Sequence, residues 1–180
     1  FGSYLNKAKD QGCDVIFAPV SIAYATQLIS QSASLNIGIP FLGSDTWDDN
    51  MILQAAKGTN VQAFVSTFYA EGGNQKFDDG IKAYINGNAD AKTTNGGDDT
   101  VSAVTAMGYD AYYVALEALK AAGSTDPAKV MEALPGVSYD GVTGHIAFDE
   151  TGDAIRDTAY IKTIDSASNT WKFVTQQKAS

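Results

Sequence analysis

Residues 13–20 read Cys-Asp-Val-Ile-Phe-Ala-Pro-Val, an apolar and β-branched run that follows Gly12 and ends in a loop at Pro19. A continuous apolar run of this length predicts a strand that is buried on both faces. Residues 40–43 and 61–69 have the same character and predict the next two strands. Because helical patterns separate these strands, the β-α-β-α-β order predicts an α/β fold, with a parallel sheet flanked by helices and joined by right-handed crossovers.

Helices are predicted from apolar residues at helical spacing and from capping residues. They cover residues 4–11, 25–35, 47–56, 75–85, 101–122 and 127–134. The longest should bury one stripe and end at Gly123, and Asp126 should cap the helix that opens with Pro127. That stripe is Tyr112, Ala115, Leu116 and Leu119. Residues 86–99 are rich in Gly, Asn, Asp and Thr, which predicts a loop.

The C-terminal part of the chain is β-rich again. Residues 145–149, 158–163 and 170–174 alternate in polarity or are rich in β-formers, which predicts three strands. The last two are separated by Asp-Ser-Ala-Ser-Asn, a sequence that favours a hairpin.

Composition limits the classes of function that fit. The 180 residues are 44% hydrophobic, enough for one core or two small lobes, and carry a formal net charge of −9 with a pI near 4.4. Such a surface repels phosphate backbones, and no cluster of Lys or Arg interrupts it, so nucleic-acid binding is excluded. The longest apolar runs are far shorter than the about 20 residues that a membrane-spanning helix requires. Cys13, the single cysteine, is interpreted as a buried structural thiol.

Motifs for catalysis, metals and cofactors are missing from the sequence. There is no G-x-S-x-G, H-E-x-x-H, C-x-x-C, P-loop or G-x-G-x-x-G, and His145 is interpreted as structural. Adjacent carboxylates at 48–49, 78–79 and 98–99 are interpreted as solvated surface, although a hydrolase with two carboxylates across a cleft stays open. Residues 149–153 resemble half a calcium loop without its final Glu, which favours a turn. The sequence therefore predicts no catalytic residue, no cofactor and no metal site.

Two polar residues follow predicted parallel strands. Ser21 comes after the first strand and Asp45 after the second, and ligands of open α/β sheets bind beside the carboxyl ends of the strands. A carboxylate at Asp45 could pair with a ligand's ammonium group, and Trp47 could pack on the ligand's apolar part. The alternative is that Asp45 merely caps the following helix.

The segment Phe41-Leu-Gly-Ser-Asp-Thr-Trp-Asp48 resembles the FLG-x-D-x-W-D segment of bacterial branched-chain amino-acid-type solute-binding proteins. These are the type I periplasmic binding proteins that serve ABC transporters. Further segments similar to that family follow in family order along essentially the whole chain. They are residues 14–17, 25–36, 108–111, 122–127, 141–144 and 146–149.

The resemblance implies two α/β lobes that are joined by three crossovers and close over a ligand. Residues 1–70 would form part of the second lobe, 71–140 part of the first, and 141–180 would return to the second. Changes of composition near 69–74 and 135–143 agree with these crossovers. The resemblance also implies that most of lobe one and the opening of lobe two lie outside this sequence. Open sheet edges then predict either pairing with a second copy of the chain or a piece of a longer protein.

By resemblance, Asp45 falls on the family's acidic position that holds the ligand's α-ammonium group, with Ser44 beside it. Ser21 stands where many relatives have a tyrosine that covers the ligand, and Tyr24 could compensate. Val104 belongs to a segment that faces the cleft in relatives.

The predicted function is that of a non-enzymatic extracellular solute-binding component of an ABC transporter. It would bind an amino acid, branched-chain or related, and deliver it to a membrane permease. The expected location is the periplasm or the cell exterior, either free or held by a lipid anchor outside this sequence. A sensory ligand-binding domain of the same fold and a carboxylate-dependent hydrolase are the alternatives.

Overall fold

A computed structural model describes residues 1–156 and 158–178, in which helices and strands alternate up to β3 and a run of helices then precedes the last four strands. The helices are α1 (Gly2–Asp10), α2 (Ile22–Ser34), α3 (Asn50–Ala56), α4 (Gln75–Gly87), α5 (Ala89–Thr94), α6 (Ala103–Ala122) and α7 (Pro127–Ala133). The strands are β1 (Ile16–Ala18), β2 (Phe41–Gly43), β3 (Ala63–Thr67), β4 (Tyr139–Gly141), β5 (Gly144–Ile146), β6 (Thr158–Asp165) and β7 (Thr170–Lys178). Short 3₁₀ turns occupy Asp45–Trp47 and Leu134–Gly136.

The main sheet has five strands in the order β1-β2-β3-β6-β7. The first three strands are parallel, as predicted, and β6 then pairs antiparallel with β3. β6 and β7 form the predicted antiparallel hairpin. The chain is therefore α/β, with one sheet built from residues that lie on both sides of the α4–α7 segment. β4 and β5 form a separate two-stranded sheet.

The largest apolar core lies between this sheet and helices α1, α2 and α3. Its most deeply buried members include Ile29, Phe41, Trp47, Ile52 and Val65. Two smaller clusters accompany α4 and α6, one around Tyr69 and Phe77 and one around Val114 and Ala118.

Two predictions about the first strand are wrong. β1 lies at the edge of the sheet, and 67% of Phe17 is exposed, so the strand is not buried on both faces. Cys13 is exposed rather than buried. The reason is that Cys13 closes the last turn of α1, where its N–H donates to the carbonyl of Ala8, and the strand begins only at Ile16.

The α4–α6 segment departs from the prediction in two places. Residues 86–99 contain the short helix α5, because the Asn88 side chain accepts hydrogen bonds from the N–H groups of Asp90 and Ala91 and caps it. On α6 the predicted stripe is wrong, since Tyr112 and Leu119 are exposed. The buried residues are three alanines, a valine and an aspartate: Ala103, Ala106, Ala118, Val114 and Asp110.

The predicted helix caps are confirmed. Gly123 ends α6 in the left-handed conformation with φ of 57°. The carboxylate of Asp126 accepts from the N–H of Ala128 at 2.9 Å and caps α7 ahead of Pro127.

Candidate ligand-binding site

The carboxyl ends of β1 and β2 lie side by side. The strands are parallel with Ala18 opposite Gly43, so the loops that carry Ser21 and Asp45 leave the sheet at the same edge. Open α/β sheets place their ligands at this edge.

Side-chain hydrogen bonds join these two loops. The Thr46 hydroxyl donates to the carbonyl of Val20 at 3.0 Å and is 3.0 Å from the hydroxyl of Ser44. The structure thus brings the predicted residues Ser21, Ser44 and Asp45 to one edge of the sheet.

The carboxylate of Asp45 has no hydrogen bond or ion pair to any other residue in the described part of the chain. Asp45 opens the 3₁₀ turn and is half-buried, and its main-chain carbonyl accepts from the N–H of Asp48. The cap of α3 is instead Asp49, whose carboxylate accepts from the N–H of Met51 at 2.8 Å. The alternative in which Asp45 caps the following helix is therefore wrong.

Ser21 and Tyr24 lie at the exposed start of α2. Ser21 has the extended backbone of an N-cap residue, but its hydroxyl makes no capping hydrogen bond. Tyr24 is exposed, and its ring meets Phe1 edge to face with centroids 6.0 Å apart. Both side chains are accessible from outside the chain.

Trp47 lies in the core instead of at the surface. It is fully buried, with its ring centroid 5.7 Å from that of Phe41. A Cβ on Gly43 would lie 2.5 Å from the Trp47 ring, so the glycine is what lets the ring pack closely against β2. This position does not support the predicted contact between Trp47 and a ligand, and it explains why Gly and Trp occur together in this segment.

Asp48 forms a buried ion pair, so its interpretation as solvated surface is wrong. Its exposure is 1% and that of Lys162, on β6, is 4%. The Lys162 ammonium donates to both carboxylate oxygens at 2.9 and 3.1 Å, and the Thr67 hydroxyl donates at 2.8 Å. The N–H of Ala103 is a weaker donor at 3.4 Å. This pair, which sequence reasoning missed, holds the end of the 45–48 segment against β3, β6 and the start of α6.

The first turn of α6 lies beside the Asp45–Trp47 turn. Val104 follows Ala103 in this first turn and is exposed. The Ser102 hydroxyl caps the helix by accepting from the N–H of Thr105 at 3.3 Å. The predicted residue Val104 therefore belongs to a second element that borders the candidate site.

Asp110 on α6 is a second buried carboxylate with a full set of donors. It accepts hydrogen bonds from the N–H groups of Val142 and Thr143, both at 2.8 Å, and from the Thr143 hydroxyl at 2.6 Å. A Cβ on Gly141 would lie 2.4 Å from the Asp110 carboxyl carbon. The segments 108–111 and 141–144, which both resemble the family, thus contact each other directly.

Arg156 extends this contact to a further connecting segment. Its guanidinium donates to the Thr143 carbonyl at 3.2 Å and to the Thr143 hydroxyl at 3.1 Å. The same guanidinium lies 5.0 Å from the centroid of the Phe68 ring. Arg156, which precedes β6, thereby connects Phe68, directly after β3, with Thr143, directly before β5.

A third polar cluster lies where the chain leaves β3. Asp78 is buried and accepts from the Tyr69 hydroxyl and from the N–H of Gly72, both at 2.7 Å, so its interpretation as surface is also wrong. Burial, followed by the hydrogen bond to Asp78, raises the pKa of Tyr69. Glu71 pairs with Lys82, and this hydrogen bond raises the pKa of the Lys82 ammonium. An open cavity of about 470 Å³ separates this cluster from β6 and β7.

Two other acidic segments, residues 98–99 and 149–153, lie outside these buried clusters. Asp98 is exposed, as predicted, and the hydrogen bond from the Asn86 amide lowers the pKa of Asp99. In residues 149–153 the Thr151 hydroxyl bonds to Asp149 and lowers its pKa, and the segment forms the predicted turn.

The described part of the chain has neither a cluster of metal-ligating side chains nor a helix suited to span a membrane. Among residues 1–156 and 158–178, no group of three or more His, Cys, Asp or Glu side chains is placed to hold a metal ion. No helix in these ranges combines the length and the apolar character needed to cross a membrane.

Solved structures show the same fold. The leucine-binding protein LivK of Thermotoga maritima is 23% identical, with a TM-score of 0.78 over 99% of this chain and 48% of that chain. LivJ of Streptococcus pneumoniae, in complex with isoleucine, is 20% identical, with a TM-score of 0.70 over 99% and 48%. A solute-binding protein of R. palustris in complex with benzoate is 17% identical, with a TM-score of 0.73 over 99% and 47%. The chain therefore spans about half the length of these proteins.

The sequence itself matches one family. No curated protein matches the chain at a significant level. The sequence profile described as "Periplasmic binding protein" matches residues 1–169, nearly the entire chain. With the α/β sheet and the carboxyl-edge loops in place, this match shows that the chain belongs to the periplasmic binding protein family, of the type I fold seen in branched-chain amino-acid substrate-binding proteins.

Proposed function

We propose that this chain is part of a solute-binding protein that holds an amino acid between two lobes and delivers it to an ABC permease. The observation that carries the proposal is the carboxylate of Asp45. It lies at the carboxyl edge of the parallel strands with no partner among the described residues, whereas the buried carboxylates of Asp48, Asp78 and Asp110 are each hydrogen-bonded. An ammonium group is the natural partner for a carboxylate in such a position.

Residues around Asp45 suit a zwitterionic ligand. The hydroxyls of Ser21 and Ser44 offer hydrogen bonds, Tyr24 offers an exposed aromatic face, and Val104 offers an apolar side chain from α6. Ser21 covers less apolar surface than the tyrosine that many relatives have there, so the pocket has room for more than one side-chain shape.

The neighbouring structures leave a choice between two ligand classes. LivJ is in complex with isoleucine and the R. palustris protein with benzoate. Benzoate carries a carboxylate and lacks an ammonium group, so the negative charge of Asp45 would repel it. Asp45 therefore favours an amino acid.

Residues 1–70 and 141–180 are proposed to form one lobe and residues 71–140 to belong to the other. The main sheet supports this division, because β1–β3 and β6–β7 share it while α4–α7 lie between them in sequence and outside it in space. Val104 lies on the first turn of α6, beside the Asp45–Trp47 turn, so the proposed site would lie between the two lobes, which close about the connecting segments.

The proposed protein performs no chemistry and works in the periplasm or outside the cell. The absence of catalysis is supported by Asp48 and Asp78, because both carboxylates are fully hydrogen-bonded within the chain and neither is free to act as an acid or base. The match to the periplasmic binding protein family supports the proposed location.

A thermal-shift screen of the complete protein tests this function. The ligands are the twenty amino acids, small amides, nucleosides and substituted benzoates. A ligand that binds only the folded state adds about 2.7 kcal/mol of stability at a hundredfold excess over Kd. We expect a shift with one or a few aliphatic or polar amino acids. A shift with benzoates alone, or with none of these compounds, would contradict the proposal.

A further inference from the structure

Two side chains of α3 reach across to the loop that precedes α6. The amide of Asn50 donates to the carbonyl of Asn95 at 2.5 Å and to the carboxylate of Asp98 at 2.9 Å. The amide of Gln54 donates to the carbonyl of Gly96 at 3.1 Å. Because the two donors are four residues apart, they lie on the same face of the helix.

The 95–98 loop is shaped to receive these donors. The Asn95 amide donates to the carbonyls of Asp98 and Thr100, and the N–H of Thr100 donates to the Asp98 carboxylate at 2.9 Å. Gly96 has a φ of +80°, and a Cβ there would lie 2.9 Å from the Cβ of Asn50. A glycine is thus needed for the close approach of the loop to α3.

This contact joins the two elements that border the candidate ligand site. α3 begins three residues after the 3₁₀ turn that carries Asp45, and the loop leads within a few residues to the exposed Val104. An open cavity of about 550 Å³ lies between α3 and the loop, with Asp49, Met51 and Ser102 in its lining. The two hydrogen bonds to Asp98 and Gly96 are exposed to solvent, and bonds of this kind are individually weak and exchange readily with water.

We propose that Asn50, Gln54 and the 95–98 loop form a clasp, closed as the structure shows it, that limits the rate at which ligand leaves the site. Asn50 and Gln54 are positioning residues, since they act through the approach of α3 to the loop. Weak, solvent-exposed hydrogen bonds suit this role because the clasp has to open in every transport cycle. The proposal rests on the proposed function and adds to it the device that keeps the lobes closed.

A pair of glycine variants in the complete protein tests the clasp. Gly96→Ala places a methyl group against Asn50, whereas Gly97→Ala is the matched control, because Gly97 also has a positive φ, of +94°, but open space around it. With L-leucine as the probe, stopped-flow dissociation should be about tenfold faster in Gly96→Ala than in Gly97→Ala, equivalent to about 1.4 kcal/mol. Equal rates for the two variants would overturn the proposal.

The double variant Asn50→Ala/Gln54→Ala removes the donors without any backbone strain. We expect the same rise in the leucine dissociation rate and an unfolding temperature close to that of the wild type, because the bonds to Asp98 and Gly96 lie at the surface. A lowered unfolding temperature with an unchanged dissociation rate would show a purely structural role and would overturn the proposal.

A distance measurement decides the matter even if leucine does not bind. Spin labels on Lys57→Cys and Asp90→Cys, both exposed positions, report the separation of α3 from α5 in a Cys13→Ser background. We expect a short-distance population that Gly96→Ala depletes and Gly97→Ala retains. Identical distributions in the two variants would overturn the clasp, whereas a failure of leucine to bind would count only against leucine as the ligand.

Discussion

The two ends of the 45–48 segment differ in their surroundings. At Asp48 the chain supplies the partners itself, with Lys162 and Thr67 donating to a carboxylate that is almost fully buried. At Asp45, three residues earlier, the described chain supplies none, and the carboxylate stays open at the edge of the sheet. A buried charge without partners costs several kcal/mol, so Asp48 has to be paired, whereas the half-buried carboxylate of Asp45 keeps contact with solvent and is the one proposed to bind the ligand. Asp48 therefore stabilises the loop through contacts within the chain, whereas Asp45 makes no side-chain contact that the loop requires.

Removing Lys162 should have the largest effect. Lys162→Ala leaves Asp48 as an uncompensated buried charge, which should lower the free energy of unfolding by about 3–5 kcal/mol. Urea denaturation of the complete protein measures this loss. The control is Lys172→Ala on β7, an exposed position. Similar losses for the two variants would show that the Asp48 pair does not stabilise the fold.

Removing the Asp110 carboxylate should have the next largest effect. Asp110→Ala leaves two N–H groups and one hydroxyl of residues 142–143 without their acceptor, and it should cost about 2–3 kcal/mol. Amide hydrogen exchange should show lost protection at Val142 and Thr143. Glu132→Ala, at an exposed position on α7, is the control. Retained protection in Asp110→Ala would contradict the assignment of these hydrogen bonds.

Removing the capping carboxylate of Asp49 and the free carboxylate of Asp45 should have smaller effects on the free energy of unfolding, and the two effects should differ. Asp49→Ala removes an N-cap and should lower the free energy of unfolding by about 1 kcal/mol. Asp45→Ala removes no contact within the described chain and should change it by less than about 0.5 kcal/mol. Urea denaturation of both variants without ligand makes the comparison. A larger loss for Asp45→Ala would show that its carboxylate has a structural partner.

The smallest expected effect is a pH dependence of the free energy of unfolding that comes from Tyr69. Its pKa is raised above the ordinary value of 10.0, so the folded chain holds the phenol proton more tightly than the unfolded chain. The resulting stabilisation is fully present below about pH 10 and is lost as the pH rises above it. The advantage of the wild type over Tyr69→Phe in urea midpoint should therefore shrink above pH 10. A wild-type advantage that stays constant from about pH 8 to above about pH 10 would contradict the prediction.

Local sequence signals were sufficient for most of the fold. Apolar runs located β1–β3, glycine and Asp-Pro signals located the end of α6 and the start of α7, and a polar five-residue turn located the β6–β7 hairpin. These features depend on neighbours within a few residues. Their position after predicted parallel strands singled out Asp45 and Ser21, and the resemblance to the family then implied their contacts with a ligand.

Long-range pairs could not be predicted from the same signals. Asp48 and Lys162 are 114 residues apart, and Asp110 meets its donors 32 and 33 residues further along the chain. Their burial depends on partners that no local pattern reveals, so Asp48 was interpreted as surface and Asp110 was missing from the predicted stripe of α6. A lysine inside the otherwise uncharged, β-rich run of residues 158–164, as at Lys162, is the one signal that could have indicated a buried pair.

The most direct test of the account is the binding energy that Asp45 contributes to a ligand's ammonium group. Calorimetric titrations of the complete protein would compare wild type with Asp45→Asn, each with the amino acid that gives the largest thermal shift and with its deaminated analogue. We expect Asp45→Asn to lose about 1.5–3 kcal/mol of affinity for the amino acid, the worth of a hydrogen bond to a charged group, and to bind the analogue at least as well as the wild type does. Unchanged affinity of Asp45→Asn for the amino acid would contradict the central claim.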